Sequence, residues 1–360
     1  MAKYESKNLR NVVIVGHGGT GKTTLCESFL FVSGKNERAG RVDEGTSSFD
    51  YEPEEQRKHI SISSATNFVD WDKHKVNIVD TPGDSNFAYD TRSCLRAADA
   101  AVILVDAVSG VEFQTEKVWE YADRYKLPRV VFINRMDRER AHFFNAVESV
   151  KSRIKKITPI FLPIGSEDAF KGVIDLLAMK AYVFDDPKGG YKTVDVPEDM
   201  KNEAEGMRET MMEDIAESDE NLMEKYLEDG EISAEDMKAG LRAGVISGSI
   251  VPAMCGSALK HIGIGPLMDV IVRYLPSPLD RGPAVGTKPG TDEVEERLPD
   301  ESAPFSAYVF KTIADPYAGR LTLFRVYSGT LKSDTPVYNP SHKSSERFGN
   351  VFYLEGKSQK

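Results

Sequence analysis

Residues 16–24 read Gly16-His17-Gly18-Gly19-Thr20-Gly21-Lys22-Thr23-Thr24 and fit the pattern G-x-x-x-x-G-K-[ST]. The β-branched run Asn11-Val12-Val13-Ile14-Val15 precedes them, and apolar residues follow at helical spacing, namely Leu25, Cys26, Phe29 and Leu30. The stretch is predicted to join a buried strand to a helix and to cradle phosphate, because backbone N–H groups and a helix N-terminus attract anions. A glycine-rich turn that fits by chance is the alternative, and the downstream motifs favour the phosphate loop.

The side chains of this loop predict what it binds. Lys22 would place its ammonium group on the β and γ phosphates, and the Thr23 hydroxyl would be a ligand of Mg²⁺. The predicted phosphate-binding residues are Gly16, Gly18, Gly19, Thr20, Gly21, Lys22, Thr23 and Thr24.

A second motif, Asp80-Thr81-Pro82-Gly83, follows a predicted strand over residues 75–79. In a chain with a phosphate loop, an Asp at the end of a buried strand is the expected second anchor for Mg²⁺. Gly83 can bring its N–H against a γ-phosphate without steric penalty. The alternative is a plain turn, since Thr-Pro-Gly favours turns in any context.

A third motif, Asn134-Arg135-Met136-Asp137, follows a predicted strand over residues 129–133. Parallel sheets bind ligands at the carboxyl ends of their strands. The Asp137 carboxylate can accept from both N1–H and the exocyclic amine of guanine, a pair of donors that adenine lacks. Asn134 can brace the base and the phosphate loop, and the Arg135 stem can stack on the ring. The predicted ligands are therefore GTP or GDP with Mg²⁺.

Composition and charge limit the class of protein. The chain is 40% hydrophobic and 29% charged. It contains neither an apolar run that would span a bilayer nor the apolar core of an N-terminal signal peptide. We therefore expect a cytoplasmic protein without membrane contact. The net charge of −11 argues against a bulk electrostatic grip on nucleic acid, and DNA is not an expected partner. Cys26, Cys94 and Cys255 show no disulfide or zinc spacing and are expected to be buried thiols.

The order of predicted elements indicates an α/β fold. Strands are predicted at residues 11–15, 60–69, 75–79, 101–105, 129–133 and 250–255. Helices are predicted at residues 87–98 and 116–125, and a last helix runs through Met268 to Tyr274. Such alternation is typical of a mostly parallel sheet with helices on both faces. Residues 35–56 are polar, and a loop of that length is either functional or disordered.

Composition also divides the chain into regions. We predict a nucleotide-binding domain over residues 1–282 that carries an inserted α+β subdomain over about residues 158–249. A proline-rich linker at residues 275–283 precedes short alternating runs at 305–312, 321–328, 335–338 and 346–353. These runs predict an antiparallel β-barrel over residues 283–360 that is incomplete, as in a piece of a longer chain.

Within the insertion, residues 198–236 are strongly acidic. Met200, Met207, Met211, Met212 and Ile215 are spaced as one face of a helix. The segment is either an acidic helix that binds a partner, or a solvated outer surface over a methionine-bearing core stripe.

Taken in order, these motifs resemble a translational GTPase of the elongation factor G type, over nearly the whole chain. Further similarity lies in Glu44-Gly45 through Ile62 as a first switch, Gly256-Ser257-Ala258, Tyr274-Leu275-Pro276-Ser277-Pro278, and Asp315-Pro316-Tyr317-Ala318-Gly319-Arg320-Leu321-Thr322. The resemblance implies a P-loop GTPase domain followed by part of the family's second domain. It also implies a factor that docks on the ribosome, on rRNA and stalk proteins, with the acidic insertion facing the stalk.

The resemblance assigns further site residues. Ser61 would supply a third Mg²⁺ ligand beside Thr23 and Asp80, and Ser257, Ala258 and Leu259 would line the base. Lys22, Gly83 and Asp84 would act on the γ-phosphate and the attacking water.

The departures from the family cluster beside the γ-phosphate. Asp84 stands where the family has the histidine that orients the attacking water, Gly18 replaces an apolar gate residue, and Gly19 replaces a common acidic residue. The changes Lys58-His59-Ile60-Ser61 for Arg-Gly-Ile-Thr and Arg135 for Lys are mild. We expect intact binding with altered water positioning, in which either Asp84 or His59 could replace the missing group. The rival hypothesis is a non-hydrolysing, GTP-gated module that binds ribosomes.

Overall fold

A computed structural model describes residues 4–315 and 319–360 of the chain. Residues 316–318, the Pro-Tyr-Ala part of the motif predicted in the second domain, lie outside the described residues, as do residues 1–3. Among the helices of the described ranges, none combines the length and the apolar character needed to cross a bilayer.

The strands are β1 (Leu9–Gly16), β2 (Ala65–Trp71), β3 (His74–Asp80), β4 (Ala100–Asp106), β5 (Arg129–Asn134), β6 (Thr158–Pro159), β7 (Phe161–Ile164), β8 (Gly172–Asp175), β9 (Lys180–Phe184), β10 (Tyr191–Asp195), β11 (Pro252–Cys255), β12 (Ala284–Thr287), β13 (Val294–Arg297), β14 (Ser306–Asp315), β15 (Gly319–Ser328), β16 (Pro336–Asn339), β17 (Ser344–Arg347), β18 (Leu354–Glu355) and β19 (Ser358–Gln359). The helices are α1 (Lys22–Val32), α2 (Pro53–Lys58), α3 (Ala88–Ala97), α4 (Phe113–Arg124), α5 (Phe143–Arg153), α6 (Lys201–Ala216), α7 (Glu220–Asp229), α8 (Ala234–Ser247) and α9 (Ile264–Tyr274).

A seven-stranded sheet in the order β2-β3-β1-β4-β5-β11-β6 organises the first part of the chain. Only the edge strand β2 is antiparallel to its neighbour in this sheet. The central strands β4 and β5 are buried along their whole length, because helices cover both faces of a parallel sheet. The prediction of an α/β fold with a mostly parallel sheet is confirmed.

The strand register brings the predicted motifs to one edge of this sheet. Ile14 of β1 pairs with Asp80 of β3, and Gly16 pairs with Leu104 of β4. On the other side, Asp106 at the end of β4 pairs with Asn134 at the end of β5. The carboxyl ends of parallel strands therefore carry the phosphate loop, the Asp80 turn and the Asn134 motif together.

The segment between α1 and β2 differs from its prediction. A strand was expected over residues 60–69, but β2 begins at Ala65. The N–H groups of Ile62 and Ser63 instead donate to the buried carboxylate of Glu55 in α2 (2.9 and 3.0 Å), so they take no part in the sheet ladder. The preceding loop also has an ordered core, since Phe49 is buried against the sheet cluster.

The predicted insertion contains its own four-stranded antiparallel sheet, in the order β10-β9-β8-β7, and the helices α6, α7 and α8. Strand β6, at the start of the predicted range, pairs with β11 and so belongs to the central sheet. In α6 the side chains of Met211, Met212 and Ile215 are buried, whereas the glutamates of this helix are exposed. The predicted core stripe is therefore present, with Met200 and Met207 partly buried against it. The glutamates remain on the surface, but Asp214 is buried and accepts from the Thr158 hydroxyl (2.6 Å).

Beyond the linker, the described strands are antiparallel and form four separate pairs: β12 with β13, β14 with β15, β16 with β17, and β18 with β19. Antiparallel direction is as predicted, whereas one continuous barrel sheet is not seen among the described residues. The strand expected over 346–353 is also displaced, because β17 ends at Arg347. Phe348 leaves the ladder and packs its ring near those of Phe305 and Phe324.

Candidate nucleotide-binding site

The phosphate loop needs glycine at two positions for steric reasons. Gly16 has φ +152°, and a Cβ there would lie 2.6 Å from the carbonyl oxygen of Leu104. Gly21 has φ +90°, a left-handed conformation just before α1, and a Cβ there would lie 2.6 Å from Nδ2 of Asn134. The backbone can therefore turn tightly into the helix N-terminus, which is the geometry that binds phosphate.

Lys22 lies buried at the start of α1 and reaches back over the loop. Its Nζ donates to the carbonyl oxygen of His17 (2.8 Å), which also accepts from the Thr20 hydroxyl (2.9 Å). Burial lowers the pKa of Lys22, and the nearby Asp80 carboxylate opposes that shift. The ammonium group is thus held in the concavity of the loop, where a phosphate would provide the missing negative charge.

The three predicted metal ligands meet below this loop. The Thr23 hydroxyl donates to Oδ2 of Asp80 (2.7 Å), and its oxygen lies 2.9 Å from the Ser61 hydroxyl. The other carboxylate oxygen, Asp80 Oδ1, is buried and without a hydrogen-bond partner. Two hydroxyls and an unpaired carboxylate oxygen are the hard oxygen donors that Mg²⁺ prefers, so the residues fit this ion.

Asp50, in the loop between α1 and β2, is a site residue that the sequence analysis missed. Its side chain is buried, Oδ2 has no partner, and the Ser61 hydroxyl is a neighbour. Burial raises the pKa values of both Asp50 and Asp80. The Asp50 charge raises the pKa of Asp80 further, and the charges of Glu55 and Glu27 raise that of Asp50. No local pattern marked Asp50, because its burial depends on how a long polar loop folds back.

Two glutamates hold that loop in place, and neither was predicted. Glu27 of α1 accepts from the Gly40 N–H (3.1 Å), the Ser47 hydroxyl (2.9 Å) and the Ser48 N–H (2.5 Å). Glu55 accepts from Ile62 and Ser63, as described above. The available signal was a Glu within the apolar stretch of residues 25–32, since a carboxylate buried there must be paired.

The base end of the site is built around Asn134. Its Nδ2 donates to the Thr20 carbonyl (2.8 Å) and its Oδ1 accepts from the Ala258 N–H (2.9 Å), so one side chain ties the phosphate loop to the 256–263 loop. Oδ1 of Asp137 is buried and unpaired. An unpaired carboxylate oxygen at this place fits the paired donors of a guanine edge.

The remaining base-end residues surround this pair. Arg135 has φ +68° and its guanidinium binds Asp106 (2.9 Å), so the direction of its stem is fixed. Ser257 is buried and accepts from the Lys260 N–H (3.1 Å). Leu259 is half exposed at 50%, which leaves an apolar side chain at the entrance.

At the γ-phosphate side the structure brings together Gly18 and Gly83 but does not aim Asp84 at them. A Cβ on Gly18 would lie 3.6 Å from the Gly83 carbonyl oxygen, an ordinary contact. The Asp84 carboxylate is exposed and caps the short turn Ser85–Phe87 by accepting from the Asn86 N–H (2.8 Å). His59 is also exposed, with Nδ1 2.9 Å from the Val42 carbonyl oxygen.

Gly19 and Thr24, the last two predicted phosphate contacts, lie at the rim of the loop. Gly19 has φ +79° with open space where a side chain would stand, and Thr24 is half-buried in the first turn of α1. The loop can thus admit a ligand from this side.

Comparison with known proteins agrees with this geometry. Residues 7–277 match the family described as the elongation factor Tu GTP binding domain, and residues 304–360 match elongation factor G domain 2. Elongation factor G of Thermotoga maritima is 43% identical over 356 residues, which are 98% of this chain and 51% of that protein, and that of Thermotoga sp. strain RQ2 gives the same values. A crystal structure of a Thermus thermophilus protein superposes with a TM-score of 0.85 at 32% identity, over 98% of this chain and 50% of that one.

The chain belongs to the family of elongation factor Tu-type GTP binding domains. Within that family its resemblance to elongation factor G is confirmed by the second matched domain and by the identity to the Thermotoga proteins. The chain spans about half the length of the curated relatives it matches.

Proposed function

We propose that this protein binds GTP and GDP with Mg²⁺ and hydrolyses GTP as part of a translation factor. One observation carries the proposal: a buried carboxylate oxygen is left unpaired at each end of the site, Asp80 Oδ1 below the phosphate loop and Asp137 Oδ1 at the base end. Leaving such groups unpaired costs about 1–3 kcal/mol each, more when charged, and a metal and a guanine would satisfy them.

Each predicted residue has a role in this proposal. Mg²⁺, when bound, would neutralise charge on the β and γ phosphates. Thr23, Ser61 and Asp80 would hold it, Lys22 would bind the β and γ oxygens, and the Gly83 N–H would donate to the γ-phosphate. Asn134 and Asp137 would hold the guanine, with the stem of Arg135 on its face and Ser257, Ala258 and Leu259 beside it.

No side chain among the described residues is already placed to orient the attacking water, because Asp84 and His59 bind other groups. For Asp84 to orient it, the carboxylate would have to release the Asn86 N–H and turn toward the Gly83 side. Loss of a positioned proton acceptor lowers rates by about 10²–10⁴-fold. We therefore propose slow intrinsic hydrolysis, with Asp84, or His59 after a loop movement, as the group that would assist it.

The partner in this proposal is the ribosome, contacted through rRNA and stalk proteins, in the cytoplasm. The exposed glutamates of α6 offer an acidic surface for a stalk protein. We also propose the domain limits given above, residues 1–282 with an insertion and 283–360, as the units of this factor.

A nucleotide panel tests the binding half of the proposal. Binding of fluorescent GTP, GDP and ATP analogues would be measured by titration, with Mg²⁺ and with EDTA. Tight binding of GTP and GDP, loss of GTP affinity in EDTA and no binding of ATP are expected. Equal binding of ATP and GTP would overturn the guanine assignment, and GTP binding unchanged by EDTA would overturn the metal site.

A second function, a GTP-gated module without hydrolysis, is favoured by one observation, the use of Asp84 as an exposed turn cap. Single-turnover hydrolysis with and without ribosomes separates the two. Strong stimulation by ribosomes supports the enzyme, whereas tight GTP binding without stimulated hydrolysis supports the module.

A further inference from the structure

Lys311, in strand β14 beyond the linker, reaches into the nucleotide-binding part of the chain. Its side chain is only 8% exposed, although β14 lies in a different predicted domain from the site. Its ammonium group donates to the Ser63 hydroxyl, to the Ser64 carbonyl and to the Ser64 hydroxyl (3.0 Å), and it pairs with Oδ2 of Asp90 (3.4 Å). One cation thus has acceptors on two separate segments.

The first of these segments ends the loop that carries Ser61. Ser61 is the proposed metal ligand from that loop, and Ser63 and Ser64 follow it after one intervening residue, Ile62. Glu55 already binds the N–H groups of Ile62 and Ser63 from inside the loop. Lys311 adds a second restraint from outside, on the oxygen atoms of the same short stretch.

The second segment is the first turn of α3, which follows the Gly83 turn. Asp90 in that turn accepts from the Ser64 N–H (2.5 Å) and from the Ser64 hydroxyl (3.0 Å) as well as from Lys311. Ser64, Asp90 and Lys311 therefore form one small polar cluster, in which Ser64 and the Lys311 side chain are buried and Asp90 is partly exposed. Hydrogen bonds to charged groups in such a cluster are stronger than neutral ones, and they order both segments together.

We propose that Lys311 is a positioning residue for the Mg²⁺–GTP state: by fixing residues 63–64 against α3, it keeps the Ser61 hydroxyl beside Thr23 and Asp80. The inference rests on the proposed nucleotide-binding function. Under this inference, the second domain supports the metal site through Lys311 but does not touch the metal. GDP binding, which does not need the γ-phosphate side, should depend on Lys311 much less than GTP binding.

The same interface provides a matched control. Arg325 of β15 is also nearly buried (12% exposed) and also bridges to the first domain, through Asp99 (2.7 and 2.9 Å) and the Ala97 carbonyl (2.7 Å). Those acceptors lie at the far end of α3, away from Ser61 and Gly83. A residue that only holds the two regions together would thus behave like Arg325.

The experiment compares the protein with its Lys311→Met and Arg325→Met variants. Binding of fluorescent GTP and GDP would be followed across a Mg²⁺ titration, and trypsin cleavage after the exposed residues Arg57 and Lys58 would be timed without nucleotide. For Lys311→Met we expect about a tenfold higher Mg²⁺ requirement for GTP, unchanged GDP affinity and faster cleavage. For Arg325→Met we expect parental values in both assays, with a lower melting temperature.

Several outcomes would overturn the inference. Equal effects of the two variants on GTP binding would mean that Lys311 only joins the regions. Parental behaviour of Lys311→Met would mean that the loop is held without it, and an equal loss of GDP affinity would mean general damage to the site. If the parent protein bound no nucleotide, the proposed function would fail on its own. In that case the cleavage times would still decide about Lys311, since accelerated cleavage confined to Lys311→Met supports it and equal times refute it.

Discussion

The two ends of the nucleotide site are built in different ways. At the base end, the buried side chain of Asn134 ties two loops through hydrogen bonds to Thr20 and Ala258. At the proposed γ-phosphate end, the loop of Ser61 is held by carboxylates and by Lys311 from another region, and Asp84 is exposed. The base end is thus fixed by the hydrogen bonds of one side chain at the sheet edge. The γ-phosphate end is assembled from several segments that are distant in sequence.

In the proposed function, this difference separates the recognition of the base from the recognition of the γ-phosphate. Asn134 ties the base end without a ligand, so the unpaired Asp137 oxygen would meet a guanine before any loop moves. A switch end held by separable contacts can respond to the γ-phosphate, since binding then changes which contacts are satisfied.

The largest effect is expected from Asp137→Asn, which changes the group proposed to recognise the guanine base. Its amide can no longer accept from both guanine donors, so GTP affinity should fall by about 10³-fold or more. The same amide can donate to the O2 of xanthine, so xanthosine triphosphate should bind better than to the parent. Titration calorimetry with both nucleotides checks this, with the exposed Asp168→Asn as control. An unchanged preference for GTP would remove Asp137 from the base site.

Next in size is Asn134→Ala, which tests whether the base end is rigid because of one side chain. The variant leaves the Thr20 carbonyl and the Ala258 N–H buried without partners, so the free energy of unfolding should fall by about 2–4 kcal/mol. Urea denaturation of the nucleotide-free protein measures it. An unchanged midpoint would mean that water or a neighbouring group replaces the amide.

Asp84→His tests the switch end. Placing there the histidine that the resemblance implies should raise single-turnover GTP hydrolysis by about 10²-fold without changing GTP affinity. Asp84→Asn is the matched control, because asparagine keeps a capping oxygen for Asn86 but loses the charge. A histidine variant that hydrolyses GTP at the parental rate would show that position 84 does not limit the reaction.

The smallest effect is a pH dependence that links the base end to α1. His261 follows the Ser257-Ala258-Leu259 loop. Its Nδ1 lies 2.6 Å from the Ser28 hydroxyl, and its ring contacts that of Phe31 in a tilted geometry. Burial, with a smaller contribution from Arg41, lowers the pKa of His261 from its ordinary value of 6.5. The unfolded chain therefore binds this proton more readily, and the contribution of neutral His261 to stability should be lost as pH drops below about 6.5. The raised pKa values of Asp50 and Asp80 act in the opposite direction, so the effect is read as a difference from a His261 variant.

Urea midpoints between pH 8 and pH 5 measure this dependence in the parent and in His261→Gln. The difference in midpoint between the two proteins should change as pH falls from 8 to 5, with the parent losing stability relative to the variant. Parallel pH profiles would mean that His261 does not contribute.

Much of this structure could be predicted from local patterns. The phosphate loop, the Asp80 turn and the Asn134 motif each sit where a strand of buried apolar residues ends, and the parallel sheet brings those ends together. The β2 boundary was wrong because Glu55 binds the N–H groups of residues 62 and 63, a contact that no periodicity reports. Asp50, Glu27 and Lys311 were missed for the same reason, since their partners are distant in sequence.

The most direct test of the contrast between the two ends is hydrogen–deuterium exchange of the protein, alone and with Mg²⁺–GTP. The account predicts slow exchange of the Ala258 amide in both states. It predicts that the Ile62 and Ser63 amides, which are bound by Glu55, exchange faster than the Ala258 amide without ligand, and that their exchange slows when GTP and Mg²⁺ are added but not with GDP. Equal protection of both ends without ligand, or equal protection of the loop by GDP and GTP, would contradict it.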